Sequence, residues 1–337
     1  MPVTRKEAHA TPPRPRRQRA TKPITRLEGA RVEGARIVRS PAAERSRAGA
    51  VPGPTANAKP RYTAATADKY ALYQIAVQSP ELDVPFLARL YKAARGRSAL
   101  HFREDFCGTA LLSAHWLRLG ADHSAEGFDL DPEPVAWGLA HNFEDGAARE
   151  TERFAASDEG AEPPPRFSVH LKDVRAPSHR PADLRVAQNF SYCVFKTRAE
   201  LLEYFRAARE SLAPGGVFVI DMHGGSEATE EMEEKTRLPG FTYVWDQVSF
   251  FPGTAEYTCH IHFRFPDGSE LRRAFTYRWR MWYLTELKDA LLEAGFASVD
   301  TYFEGDDEAG TGGNGVFRKG VRGENCLSWI AYLAALR

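Results

Sequence analysis

Apolar positions recur along this chain at two different spacings, and the points where the spacing changes mark out its elements. Thr66–Val77 and Val84–Ala94 carry apolar residues at helical intervals, the second run opened by Ser79-Pro80-Glu81. Ala99-Leu100-His101-Phe102 is short and mostly apolar, as a buried parallel strand would be. The small residues around Gly108 then let the backbone turn, and Leu111–Leu119 returns to the helical interval before Gly120 stops it. Ala125–Leu130 reads as a second strand, with Asp129 at its end, and Pro132 opens a further helix at the position where its missing N–H costs nothing. Phe167–Leu171 and Asp183–Asn189 read as the third and fourth strands, and the acidic, proline-closed segment 144–166 between elements as a surface loop. In Thr197–Leu212 the residues Leu201, Leu202, Tyr204, Phe205 and Ala208 share one helix face, with Arg198, Glu203, Arg206 and Glu210 off it. Ala213-Pro214-Gly215-Gly216 ends that helix ahead of a fifth strand, Val217–Met222.

The interval then drops to two. Tyr243–Ser249, Glu256–Arg264 and Glu270–Trp279 alternate and are rich in aromatic residues, with Phe251-Pro252-Gly253 and Pro266-Asp267-Gly268-Ser269 as turns. The expectation is an antiparallel, β-rich cap over 241–283 inserted after the fifth strand of an α/β domain. That domain begins at 62–240 and is completed by 284–337 through a helix (Leu284–Gly295), a sixth strand (Ala297–Phe303), an acidic, glycine-rich loop (Asp306–Gly315) and a closing strand within Cys326–Leu336.

A βαβ unit binds its ligand over the carboxyl ends of its strands, and an acid about 20 residues past the first turn is the usual partner of ribose hydroxyls. Asp129 stands 21 positions beyond Gly108. A dinucleotide site would want three glycines to cradle a pyrophosphate. Here a single glycine is flanked by Glu104, Asp105, Asp129 and Asp131. Four carboxylates repel a diphosphate and favour a ligand carrying positive charge and a ribose, such as S-adenosylmethionine, with its sulfonium and ammonium groups.

Glu104-Asp105-Phe106-Cys107-Gly108-Thr109-Ala110 resembles the first motif of class I S-adenosylmethionine-dependent methyltransferases, with Phe106 and Ala110 in place of two glycines. Gly-Phe-Asp-Leu-Asp at 127–131 resembles their second-strand acid motif, Lys172-Asp173-Val174 their adenine-binding acid, and Leu212–Asp221 their LxPGGxhhhxD segment. The resemblance runs from about Tyr70 to the C-terminus. It implies a doubly wound, seven-stranded, Rossmann-like sheet and methyl transfer by in-line displacement. It also implies that Glu104 with Phe106, Cys107, Gly108, Thr109 and Ala110 holds the methionine end of the cofactor, Asp129 and Leu130 the ribose side, and Asp173 and Val174 the adenine. Asn189 is then a further contact.

For the acceptor the sequence leaves choices. Asn189, Ser191 and Tyr192 close the fourth strand, either touching ligand or capping the strand. His223 follows the fifth strand, as a proton acceptor or a loop residue. Tyr70 and Tyr73 form a lid or pack on the body. Trp245, Tyr257, Tyr277, Trp279 and Trp282 either line a pocket for a small-molecule amine or make the cap's own core. His260-x-His262 has metal-ligand spacing but no third ligand nearby, so no metal is expected.

Charge adds one feature. The chain is neutral overall, yet residues 1–61 hold 15 basic residues against four acidic ones, a +11 segment joined to a body of −11. Such a segment is too polar for a core and is expected to be a disordered basic tail. It is a solvated extension, a contact for nucleic acid or an anionic surface, or a transit peptide; the first of these contacts would suit a nucleic-acid or protein methyltransferase. The two missing glycines motivate a further alternative, a degenerate cofactor-binding scaffold. Cys107, Cys193, Cys259 and Cys326 form no CxxC pair, and no apolar run reaches the roughly 18 residues of a membrane span, so a reducing, cytoplasmic setting is expected.

Overall fold

The computed structural model describes residues 62–143, 148–150 (as backbone), 165–306 and 313–337; the expectations for 1–61 lie outside these. Helix α1 (Lys69–Val77) is capped by Asp68, whose Oδ1 accepts from the amides of Tyr70 and Ala71. Helix α2 (Pro80–Arg95) starts on a proline and ends on Gly96 at φ 72°, a conformation glycine adopts without penalty. Strand β1 (His101–Asp105) leads through the 106–110 turn into α3 (Leu111–Leu117), and β2 (Ser124–Asp129) into α4 (Pro132–His141), capped by Asp131. Then follow β3 (Ala148–Glu150), β4 (Phe167–Leu171), β5 (Ala182–Ala187), α5 (Arg198–Glu210) and β6 (Leu212–Gly224). The α5 start is a reciprocal cap between Thr197 and Glu200.

Strands β7 (Met232–Leu238), β8 (Phe241–Phe251), β9 (Glu256–Arg264) and β10 (Glu270–Arg280) form an antiparallel meander of their own, the cap. After α6 (Leu284–Glu293), strands β11 (Ser298–Asp306), β12 (Gly313–Lys319) and β13 (Trp329–Leu336) return to the main sheet. Its order is β12-β11-β13-β6-β5-β1-β2-β4-β3, parallel from β3 to β6 and antiparallel beyond.

Among the described residues the sheet thus has nine strands, where the resemblance implies seven. The additions are its two edges. Strand β3 has three residues inside the segment read as a loop, and β12 lies on the open edge beyond β11, too short or too polar to stand out by pattern. Strand β6 begins at Leu212 rather than after Gly216: a Cβ at Gly216 would sit 2.9 Å from the Ala182 carbonyl, so glycine is what lets this stretch lie against β5. The cap likewise opens with β7, upstream of the expected boundary at 241. Its residues are mostly charged, and only Glu234 and Thr236 are buried.

Alternate residues of β6 show how the sheet is clothed. Val217 and Val219 join Phe102, Trp116 and Leu87 in one apolar cluster, while Phe218, Ile220 and Met222 join Tyr204, Phe205 and Leu291 in the other. Each such side chain contributes about 1.5–3 kcal/mol on burial. The second cluster continues into the cap through Tyr257 and Trp279, and a third ties Leu72 and Ala76 of α1 to Phe241 and Phe263. The chain reverses its direction across the sheet between β1 and β5, which opens a crevice at their carboxyl ends. No helix among the described residues is long and apolar enough to cross a membrane.

Candidate functional site

The 106–110 turn is built on alternating left-handed residues: Phe106 at φ 53°, Gly108 at 51° and Ala110 at 51°. Only one is glycine, and each of the other two carries a conformational cost of about 1–2 kcal/mol. Contacts on both sides hold the turn in place. The Cys107 amide donates to the Phe128 carbonyl (3.0 Å), and its buried thiol lies against Gly127, where a Cβ would come within 2.9 Å of Sγ. On the other flank α4 presses Gly138 onto the Thr109 carbonyl so closely that a Cβ there would sit 2.1 Å from the oxygen. Gln74 Nε2 donates to Thr109 Oγ1 (2.8 Å), bringing α1 onto the same turn. The course that three glycines would favour is therefore kept without two of them.

The carboxylates divide into two kinds. Asp129 accepts from the Gly108 amide (2.7 Å) and the Asp131 amide (2.9 Å), and burial raises its pKa. Glu104 is buried and accepts from the amide (2.9 Å) and hydroxyl (2.6 Å) of Ser113; burial pushes it up to about 7 against those hydrogen bonds. Asp105 and Asp131, counted above with these two, serve the fold. Asp105 is clamped between Arg103 (2.8 Å) and Arg185 (2.6 Å), with the Tyr204 hydroxyl at 2.7 Å, and Asp131 accepts from the Glu133 amide. Of the four, Glu104 and Asp129 are bound only through backbone amides and a serine hydroxyl.

Arg103 and Arg185 also each donate to the Val174 carbonyl, at 2.6 Å, so the turn after β4 rests on this buried ionic layer. Asp173 at that turn holds Arg175 (2.8 Å), which lowers its pKa, and Leu130 beyond β2 leaves 69% of its surface exposed. Glu104, Asp105, Phe106, Cys107 and Asn189 line the crevice together with Gln78, Asp83, Leu112 and Gln188.

Beyond Asn189 lies a second pocket, open to solvent on one side and lined by Tyr73, Asn189, Phe190, His223, Tyr243, Trp245, Tyr277 and Trp279 with apolar residues between. Asn189 and Phe190 are both left-handed (φ 57° and 59°), held there by their amides donating to the two oxygens of buried Asp221 (2.9 and 3.0 Å). His223 is a buried residue of β6 rather than a loop residue. Its Nε2 lies 3.2 Å from the Tyr257 hydroxyl, its Nδ1 has no hydrogen-bond partner among the described residues, and burial alone takes its pKa down to about 4.

Several candidates fall outside. Tyr192 is 1% exposed and packed in the core, not at the crevice, and Ser191 caps the turn by donating to the Gln188 carbonyl. Of the five cap aromatics, Trp245, Tyr277 and Trp279 reach the pocket, while Tyr257 and Trp282 are core residues of the cap–body junction. Tyr73 lines the pocket; Tyr70 packs on Trp137 and Phe275. His260 pairs with Thr276 and His262 with Asp246 inside the cap. Pattern alone missed Gln74, Gly138 and Asp221. Asp221 does close the LxPGGxhhhxD segment, which is a signal without a role, and Gly138 interrupts an otherwise apolar helix.

No protein-family model matches the chain, and no curated protein does. Solved structures do. A S-adenosylmethionine-dependent methyltransferase from Clostridium acetobutylicum aligns with a TM-score of 0.55 at 15% identity, over 79% of this chain and 96% of its own. The S-adenosylmethionine-bound amino pentose methyltransferase CalS10 from Micromonospora echinaspora, involved in calicheamicin biosynthesis, aligns at 0.52 with 17% identity, over 77% and 92%. The sugar N-methyltransferase KedS8 from a Streptoalloteichus species aligns at 0.50 with 18% identity, over 85% and 97%. The chain has the fold of class I S-adenosylmethionine-dependent methyltransferases.

Proposed function

We propose that this protein is a S-adenosylmethionine-dependent methyltransferase whose acceptor is a small molecule held under the cap. The observation that carries this reading is Asn189, which stands in the wall of both cavities. A donor over the 106–110 turn and an acceptor among the cap aromatics would meet there. The residues present suit the donor: Asp129 keeps lone pairs for ribose hydroxyls, and Glu104 offers a carboxylate to a cation. Asp173 and the Val174 amide stand at the turn where adenine is expected, and exposed Leu130 offers an apolar face. When bound, S-adenosylmethionine supplies an activated methyl group on a sulfonium.

What the chain supplies is placement. Holding two reactants in contact and in line is worth up to about 7–11 kcal/mol of barrier. The 106–110 turn, pinned by Gly127 and Gly138, and the Asn189–Phe190 turn, pinned by Asp221, are rigid enough for that purpose. The cap walls the acceptor side with aromatic rings.

Calorimetry tests the reading. Wild type should show saturable S-adenosylmethionine binding, and Asp129→Ala should lose about 1.5–3 kcal/mol of it, the cost of hydrogen bonds to a charged group. Absence of saturable heat in both proteins is what a degenerate scaffold predicts. Labelling of a metabolite extract with a methyl-labelled cofactor then identifies the acceptor.

A further inference from the structure

The aromatic pocket carries chemical information beyond its size. Among the described residues no Asp, Glu, Lys or Arg lines it, and its polar groups are few, chiefly Asn189, His223 and tyrosine hydroxyls. A cation entering would give up its hydration for ring faces alone, and that attraction is small beside the several kcal/mol such an ion loses on leaving water. An ammonium, moreover, has no lone pair with which to attack a methyl group. The pocket therefore selects an uncharged molecule, and the stacked pair Tyr277–Trp279 (centroids 4.4 Å apart), with Trp245 beside it, favours a flat one.

Among the described residues His223 is the one imidazole that lines the pocket. His223 Nε2 and the Tyr257 hydroxyl share a hydrogen bond at 3.2 Å, and the tautomer with the proton on Nε2 donates it to the Tyr257 oxygen. That choice of tautomer makes Nδ1, the ring nitrogen without a partner, a bare lone pair. A buried acceptor atom left unpaired is costly, and the cost is relieved by a ligand that donates to it.

We propose that the acceptor is an uncharged, flat ring compound bearing one weakly basic donor, an aryl hydroxyl or ring N–H, and that His223 Nδ1 is the catalytic group that receives its proton, with Tyr257 positioning the ring. The proton-transfer role rests on the methyl-transfer reading above; the binding preference does not. The acceptor's lone pair forms the new bond to the methyl carbon as the carbon–sulfur bond breaks with its pair left on sulfur. The acceptor's proton passes to Nδ1 and from there to solvent. A histidine held near 4 by burial is matched to a weakly basic acceptor and mismatched to an alkylamine, whose methylated product would keep its proton.

The test uses p-cresol, toluene and the phenyltrimethylammonium cation, titrated by NMR into the full chain with and without S-adenosylhomocysteine. Wild type should bind p-cresol on the order of fivefold tighter than toluene, and the cation weakest. In His223→Phe, or in His223→Ala should the larger ring not fold, the cresol and toluene affinities should converge while S-adenosylmethionine affinity is unchanged. Equal cresol and toluene binding in wild type, or a preference for the cation, overturns the proposal. A cresol preference that depends on His223 in a protein that ignores S-adenosylmethionine would sink the methyl-transfer reading and leave the binding inference standing.

Discussion

The two cavities that share Asn189 are built by opposite means. The crevice over β1 is polar, and just over half of its lining comes from 104–112, so a strand, a turn and the start of a helix carry much of it, with the α1–α2 corner and the turn after β5 completing it. The pocket under the cap is apolar and made from side chains contributed by α1, the turn after β5, β6, three cap strands and β13. The first depends on local conformation, held by Gly127 and Gly138. The second depends on whether the cap and the body meet correctly. Changes to one should therefore leave the other nearly intact.

The largest expected departure comes from the ionic layer beneath the crevice. Asp105→Ala leaves Arg103 and Arg185, both fully buried, without their carboxylate. Removing one member of such a group costs about 3–5 kcal/mol. Chemical denaturation should show that loss. In protein that remains folded, S-adenosylmethionine affinity should fall because the Val174 turn loses its anchors, while p-cresol affinity at the cap pocket should not. A parallel fall in both would show that the two cavities are one cooperative unit.

This contrast also explains what could be read from the chain before its fold was known. Parallel strands declare themselves as short apolar runs, and the Gly108-to-Asp129 distance follows from βαβ geometry, so the order of the central elements and the place of Asp129 at the end of β2 were legible. Asp105 was not: nothing nearby in sequence says that Arg185 and Tyr204, on β5 and α5, will neutralise it. Tyr192 and Tyr257 were indistinguishable from Tyr277, because alternation tells which face a residue takes but not whether a pocket or a core lies against that face. Gly138 acts through its contact with Thr109, and Asp221 through the Asn189 and Phe190 amides, residues tens of positions away, and neither leaves a periodic trace. The edge strands β3 and β12 bury too little to impose a pattern.

A smaller effect separates the cavities by pH. Glu104 sits near pKa 7 because burial penalises its charge. In the free protein it is protonated below that value, and a cationic ligand must drive the proton off. S-Adenosylmethionine affinity should therefore rise about tenfold between pH 6 and pH 8, one proton released per ligand, equivalent to about 1.4 kcal/mol. Calorimetry in buffers of different ionisation enthalpy counts that proton directly, and Glu104→Gln should abolish both the release and the slope. For folding the sign is opposite. A carboxyl whose folded pKa lies above its unfolded one stabilises the fold at low pH, and that contribution declines as pH rises from about 4.5 toward 7. Toluene binding at the cap pocket should show neither trend.

The smallest effect is also the most specific to the turn. Ala110 is left-handed at φ 51° at the N-terminus of α3, where a Cβ is strained and glycine is not. In most helical or strand positions Ala→Gly destabilises by roughly 0.5–1 kcal/mol because glycine gains freedom in the unfolded chain. Here relief of the left-handed strain, about 1–2 kcal/mol, outweighs that loss. Ala110→Gly should therefore leave stability unchanged or raise it by about 0.5–1 kcal/mol, against the usual direction, and S-adenosylmethionine affinity should hold because the backbone course is the same. A clear loss of stability on denaturant titration would mean that the Ala110 methyl, itself buried, contributes more by packing than its conformation costs. The turn would then be held by its own side chains and not by the two glycines that flank it.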